Sequence, residues 1–195
     1  MRPQKILIID GHPDAARERL CHALAEAYAE GALEAGNEIR LITLAETDVK
    51  FLRTAAEFAE PPTSPGIISA QQDIAWADHV VMVFPLWLGG APALLRALLE
   101  QIACGSFFAK SGGGSGNRKD LKNKSARLIV TMGMPAFVYR LVFHAHGVKN
   151  IMGGVLGFAG FKPVRATLFG AVEAADDAKR KSWIGKVREL GRRAR

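Results

Sequence analysis

The chain is short of cysteine, of aromatic residues and of long apolar runs. Only Cys21 and Cys104 occur in 195 residues. They lie far apart in different apolar surroundings, so neither a disulfide framework nor a cysteine-built zinc cluster can be assembled. No metal is therefore expected, and the cysteine usage points to a reducing, cytoplasmic compartment. The longest apolar stretch, Val80 to Cys104, is broken by Pro85, Gly89-Gly90 and Pro92 and carries Arg96 and Glu100. That suits strand, loop and buried helix rather than a membrane span. The first residues, Met1-Arg2-Pro3-Gln4-Lys5, lead into a six-residue run instead of a signal-peptide core, so no export is expected. No internal repeat, RNA-binding aromatic signature or zinc-finger spacing is visible, and no nucleic-acid partner is expected.

What is present describes one globular domain over residues 1–195. The chain is 49% hydrophobic and 23% charged, with a mean hydropathy of +0.08, enough to bury a sizeable core. The formal net charge is +7, and segment 179–195 holds eight Lys/Arg against the single acid Glu189, which supplies the whole excess. Residues 176–195 read as a basic C-terminal helix with Trp183, Val187 and Leu190 inward and its cations in water. A phosphate, lipid or partner surface is the alternative reading.

Apolar runs and helical periods alternate from end to end. Lys5-Ile-Leu-Ile-Ile-Asp10 and His79-Val-Val-Met-Val-Phe84 are unbroken runs, as strands buried on both faces of a parallel sheet require. Glu38 to Leu44, Ala126 to Thr131 and Val164 to Phe169 complete five strands. Helices are predicted from about Leu20 to Gly36, from Pro65 (with Ser64 as N-cap) to Asp78, from Pro92 to Ala103, around Tyr139 to Val142, ending at Gly160, and from Asp176 to about Arg193. Segment 45–65 reads as irregular, and 105–125, with the low-complexity piece Ser111 to Asn117, as a flexible loop. The sum is an α/β doubly wound domain with a parallel sheet.

Open parallel sheets bind ligands outside the carboxyl ends of their strands, where strand order reverses. With order 2-1-3-4-5 that crevice lies between strands 1 and 3, so three loops matter. Gly11 to Arg19 precedes a helix whose free N–H groups suit a phosphate. It carries neither a dinucleotide nor a P-loop fingerprint, and a plain βα turn with Asp14 as N-cap is its bland alternative. Pro85 to Gly90 sets Trp87 among small residues, either as a wall for a planar heteroaromatic ring or as an ordinary core tryptophan. Thr131 to Pro135 offers a hydroxyl and close backbone approach at Gly133, followed by Tyr139, His144 and His146. Each histidine taken singly reads equally as a surface or core residue.

These residues resemble a family: the flavodoxin-like-fold NAD(P)H:quinone oxidoreductases of the DT-diaphorase type, which includes bacterial modulators of drug activity and ancillary flavoproteins of potassium-efflux systems. The resemblance is most specific over Ala77-Asp-His-Val-Val-Met-Val-Phe-Pro85-Leu-Trp-Leu-Gly-Gly90-Ala-Pro92-Ala-Leu-Leu-Arg-Ala-Leu-Leu-Glu100, which looks like the family's flavin-ring segment. His12 matches its histidine after strand 1, and Tyr139 its active-site tyrosine. The resemblance implies a flavodoxin-like three-layer sandwich. Pro85, Leu86, Trp87 and Leu88 would line the isoalloxazine beside Thr131, Met132 and Gly133, with His12, Arg17, Arg19 and Leu20 around the ribityl phosphate. Tyr139, with His144 or His146, would handle charge or a proton. The implied reaction is ping-pong: NAD(P)H delivers a hydride to the flavin, leaves, and a quinone or similar acceptor takes two electrons in the same pocket.

The chain departs from the family pattern in four places. Ala15 and Ala16 stand where small hydroxyl residues are usual, which moves phosphate contacts to backbone amides and to Arg17 or Arg19. Gly89 replaces an aromatic after Leu88 and should widen the pocket. The tyrosine's partner histidine falls on Ala145, between His144 and His146. The vertebrate enzymes' long C-terminal extension is missing, so FMN is expected, with FAD as the alternative. Family members build the acceptor pocket at a dimer interface, and the apolar 134–161 segment would suit a homodimer. The rival reading is a flavin-bearing regulatory subunit docked on a membrane transporter through the basic C-terminal helix. A one-electron carrier of the flavodoxin type would present an acidic face, against which the charge of +7 argues.

Overall fold

Five parallel strands form one sheet in the order β2-β1-β3-β4-β5, comprising β1 (Lys5–Asp10), β2 (Glu38–Thr43), β3 (His79–Pro85), β4 (Ser125–Thr131) and β5 (Val164–Phe169). The computed structural model describes residues 2–108 and 121–194. All seven residues of β3 are buried, as are five of the six in β1, which is why both runs lack the alternation of a one-sided strand. Edge strand β2 is exposed at Glu38, Arg40 and Leu41.

Helices cover both faces. One layer is α1 (Leu20–Glu34) and α7 (Asp177–Arg192); the other holds α3 (Pro65–Trp76), α4 (Ala93–Ala103), the short α5 (Ala136–Leu141) and α6 (His146–Lys149), and a π-helical turn, Asn150–Gly157. Between α1 and the sheet, Ile6, Ile8, Leu24, Tyr28, Val81, Val83, Trp183 and Val187 form one core. Leu7, Ile9, Met82, Phe84, Leu98, Leu128 and Tyr139 belong to the core on the opposite face. The two outer helices meet closely: a Cβ on Gly31 would fall 1.9 Å from the Arg188 carbonyl oxygen, and one on Gly191 would fall 2.1 Å from that of Tyr28.

Three expectations change. Segment 45–65 is not wholly irregular, because α2 (Ala55–Ala59) is capped by Thr54, whose Oγ1 accepts the Glu57 N–H at 3.2 Å. Asp14 does not cap α1, which starts at Leu20 with Arg19 at the N-cap and no side-chain cap. The ends of 105–125 are packed, with a 3-10 turn at Cys104–Ser106 and Phe108, Leu121 and Lys124 buried. The piece Ser111 to Asn117 lies outside the described residues.

At the amino edge of the sheet, His79 opens β3 fully buried. Its Nδ1 lies 2.7 Å from Ser125 Oγ and its ring stacks on Tyr28 at 6.3 Å. Its Nε2 is buried with no partner among the described residues. Burial, with the Arg127 and Arg165 charges adding to it, pushes the imidazole down to about 4. Among the described residues no helix is long and apolar enough to cross a membrane.

Candidate functional site

The carboxyl ends of β1, β3 and β4 deliver the three loops to one edge of the sheet. β1 hands over to the first loop at Gly11, whose N–H donates to Val83 O of β3 at 2.7 Å. His12 is buried, its ring 6.2 Å from Trp87 and nearly perpendicular to it, and 5.4 Å from His22. His12 thus joins the first loop to the second. Burial, reinforced by His22, holds His12 below its ordinary value. Its Nδ1 faces the Asp14 N–H at 3.1 Å, Asp14 Oδ1 accepts the Ala16 N–H at 2.9 Å, and Asp14 Oδ2 holds the Arg19 guanidinium at 2.6 Å. The Ala16 amide and Arg19 keep the exposed Asp14 carboxyl below the usual range. The result is a loop cross-linked by its own side chains, leading into a helix whose first N–H groups, at Leu20 and Cys21, have no intrahelical acceptor.

The second loop is a tight antiparallel turn. Trp87 and Gly90 exchange both backbone hydrogen bonds at 2.9 Å. Leu88 and Gly89 form its tip with φ of +46° and +78°, the left-handed pair of a type I′ turn. Leu88 is fully exposed and Trp87 is 49% exposed. Hence Trp87 is not an ordinary core tryptophan. The tip is clamped from behind, for Tyr139 Oη donates to Gly89 O at 2.9 Å and accepts the Val148 N–H at 3.3 Å. Gly147 packs so tightly there that a Cβ would fall 2.1 Å from Gly89 O. The Leu86 N–H donates to Thr131 O at 2.7 Å, tying the second loop to the third.

The structure sorts the sequence candidates into groups. His12 lies beside Trp87, Pro85 and Leu86 lie beside Thr131, and Leu88 lines a cavity with Trp87. Thr131 Oγ1 also lies 3.3 Å from Cys21 Sγ, a thiol that burial pushes up to about 12. Met132 turns its side chain into the core, and its N–H and C=O are taken by Phe169 and Val172. Gly133 is exposed, beside Glu173. Leu20 packs half-buried against the α1 core, Arg19 is bound to Asp14, and Arg17 lines a cavity of about 320 Å³ with Asp10, His22, Glu26 and Glu46. Tyr139 is buried with its hydroxyl committed to the hairpin. His146 faces Trp87, Leu88 and Arg96 across a cavity of about 610 Å³; His144, exposed on the left-handed turn before it, lies 5.5 Å from His146 ring to ring and does not line that cavity.

Sequence reading missed Asp10, His22 and Arg96. Asp10 Oδ2 pairs with His22 Nδ1, and His22 Nε2 lies 2.9 Å from Asp14 O. Burial would lower His22, but the Asp10 carboxylate and the Asp14 carbonyl outweigh it and hold the imidazole above its ordinary value. Arg96 Nη1 donates to Asn150 Oδ1 at 2.7 Å. The one signal in the sequence for His22 was a histidine in the first turn of a helix whose charged residues, Glu26, Glu30 and Glu34, are all acidic and further along.

Comparison with known proteins identifies the fold family. A family model described as flavodoxin-like fold matches residues 4–190. An uncharacterized NAD(P)H oxidoreductase of Haemophilus influenzae is 28% identical over 182 residues, covering 91% of this chain and 89% of that protein. The chain spans about half the length of the mammalian NAD(P)H dehydrogenases [quinone] that it matches. Among solved structures, the NAD(P)H:quinone oxidoreductase of Methanothermobacter marburgensis superposes with a TM-score of 0.79 at 20% identity, over 97% of this chain and 96% of that one. An FMN-dependent NADH-azoreductase of Bacillus anthracis, in complex with FMN, superposes with a TM-score of 0.73 at 16% identity, over 97% and 98%. At these identities the two structures are likenesses of fold.

Proposed function

Because the chain belongs to the flavodoxin-like fold family, we propose that it is a flavin-dependent NAD(P)H:quinone (or similar acceptor) reductase that works by two-electron ping-pong transfer. The observation that carries this is the pairing of an uncapped helix N-terminus with a half-exposed, rigidly mounted tryptophan, bridged by His12 at 6.2 Å. An anion-binding end and a flat apolar wall set side by side fit a phosphorylated planar ring. The H. influenzae relative's name and the FMN carried by the B. anthracis structure point the same way.

In this reading the N-terminal amides of α1 hold the phosphate of FMN, with Arg17 beside them. Trp87 supplies one face of the ring site. The N–H groups of Leu88 and Gly89, which carry no hydrogen bond among the described residues, face a ring edge or the acceptor. When bound, the flavin relays two electrons, taking a hydride from NAD(P)H and delivering both electrons to the acceptor. Tyr139 keeps the hairpin tip in place, and His146 closes the outer side. Phe137, Leu141, Val142, Phe143 and Phe158 are exposed together on segment 134–161, a surface that a homodimer would cover.

The test is a visible spectrum. Protein incubated with FMN, then separately with FAD, and desalted should retain FMN. The retained band should bleach anaerobically with NADPH or NADH and recover on adding a quinone. Failure to retain either flavin would overturn the reading.

A further inference from the structure

Asp10 sits at the carboxyl end of β1, 5% exposed, under the loop that leads to the α1 N-terminus. Both of its oxygens are engaged: Oδ1 accepts the His12 N–H at 3.2 Å and Oδ2 pairs with His22 Nδ1. The second ring nitrogen of His22 faces the Asp14 carbonyl oxygen at 2.9 Å. A neutral imidazole has one donor and one acceptor nitrogen. Here both nitrogens meet oxygen acceptors, so the Asp10–His22 pair holds one proton more than a carboxylate beside a neutral imidazole, and its net charge is zero.

The surroundings make that proton matter. On the loop stand His12, Asp14 with its Arg19, and Arg17. Glu26, one turn along α1, and Glu46, in the 3-10 turn after β2, line the same cavity with Asp10, Arg17 and His22. Acids thus face His22 from β1, from α1 and from the β2 side, and its own charge offsets the most buried of them. If the proton is lost, Asp10 becomes an uncompensated negative charge beneath an anion-binding helix end, and His22 can no longer donate to both Asp10 and the Asp14 carbonyl.

We propose that His22 is the positioning residue of the phosphate loop: as an imidazolium it cancels Asp10 and anchors the Asp14 carbonyl, so that the loop and the first amides of α1 accept the phosphate of FMN. This rests on the flavin reading above. No hydroxyl side chain stands at 15 or 16 to take the phosphate, so an anchored, charge-compensated backbone is what the chain offers instead.

The experiment measures dissociation constants of FMN and of riboflavin, which lacks the phosphate, on the flavin-stripped full chain by fluorescence quenching between pH 7 and 9.5. In that range the phosphate is already a dianion. FMN should weaken roughly tenfold as pH rises, from the Coulomb cost of one unpaired charge at the site, and riboflavin less than twofold. His22→Gln should show the weak FMN binding already at pH 7 and no fall, and Asp10→Asn should abolish the fall. The ¹⁵N imidazole signals of His22, read on the unliganded wild type, should show a doubly protonated ring at pH 7. FMN and riboflavin binding that change in parallel with pH, or a singly protonated His22 at pH 7, overturn this proposal and leave the flavin reading intact. Absence of binding by either flavin at every pH overturns both.

Discussion

His79 should make the fold acid-sensitive in a defined window. Its imidazole is buried, and burial first, then the charges of Arg127 and Arg165, keep it neutral down to about pH 4, whereas in the unfolded chain it protonates near 6.5. Because the folded-state value is depressed, the stability this group secures is complete above pH 6.5, is lost as pH falls from 6.5 to about 4, and is flat below. The loss over the window is about 3 kcal/mol, at about 1.4 kcal/mol per pH unit, a large share of a typical domain's stability. His22 runs in the opposite sense, since its value is raised: its contribution is complete below 6.5 and is lost only above it. It therefore adds nothing to the acid window. Urea unfolding followed by far-UV circular dichroism at pH 7.5, 6.5, 5.5 and 4.5 would compare the wild type with His79→Gln, which keeps a hydrogen-bonding group near Ser125, and with His79→Phe, which keeps the stacking on Tyr28. Subtraction removes the carboxylates common to all three proteins. The wild type should lose about 2.5 kcal/mol more than either variant between pH 7.5 and 4.5. Parallel profiles would refute the reasoning.

Other consequences are open to direct measurement. Gly191→Ala drives a Cβ into the Tyr28 carbonyl at 2.1 Å and should cost about 1–3 kcal/mol of unfolding free energy, whereas Gly185→Ala, which meets nothing within 4 Å, should be neutral or stabilising in the same urea assay. Tyr139→Phe strips the clasp on Gly89 and leaves the buried Val148 N–H unpaired; about 1–3 kcal/mol should be lost, hydrogen exchange over 86–92 should speed up, and acceptor KM should rise with the kcat pH profile unmoved. A kcat profile that loses a limb would instead make the hydroxyl a proton donor. Trp87→Ala should weaken FMN and riboflavin alike, by roughly tenfold, in fluorescence titrations, which separates a wall for the ring from a phosphate contact.

The sheet was legible because its central strands obey a simple physical rule. β1 and β3 are covered on both faces, so their sequences are unbroken runs, and both begin at the residue where the run begins. The five-residue α2 is too short to show a period, although the pair Thr54 and Glu57, three apart, was a readable start signal. Asp14 misled because a short acidic side chain before a helix is usually a cap; here it serves the loop's own amides, and the helix begins six residues later. The crevice followed from topology, and the half-exposure of Trp87 from its small neighbours. His22 was invisible for another reason. Its partner is twelve residues back at the end of a strand, and nothing short of the βα turn's three-dimensional path brings the two together. Nor could the sequence show the partner of Tyr139, which the resemblance made an active-site residue: its hydroxyl donates to the carbonyl of Gly89, the residue that stands in place of an aromatic.

The cations of α7 offer less to a membrane or a transporter than their number implies. Arg188 pairs with Glu30, Arg192 with Glu34, and Arg193 with Glu189. Arg180 bonds the carbonyls of Ala175 and Val172, and Lys186 lies over the Phe169 ring at 5.8 Å. Exposed pairs of this kind add little stability, but they cancel much of the field that would draw an anionic surface. What holds the helix is its inner edge, where Trp183 packs on Phe169 at 5.2 Å and Val187 is buried against α1. The basic tail is thus a structural layer of the sandwich. At the other end of α1, Arg17 lines a cavity with the charge-compensated Asp10–His22 pair, beside a helix terminus with no side-chain cap.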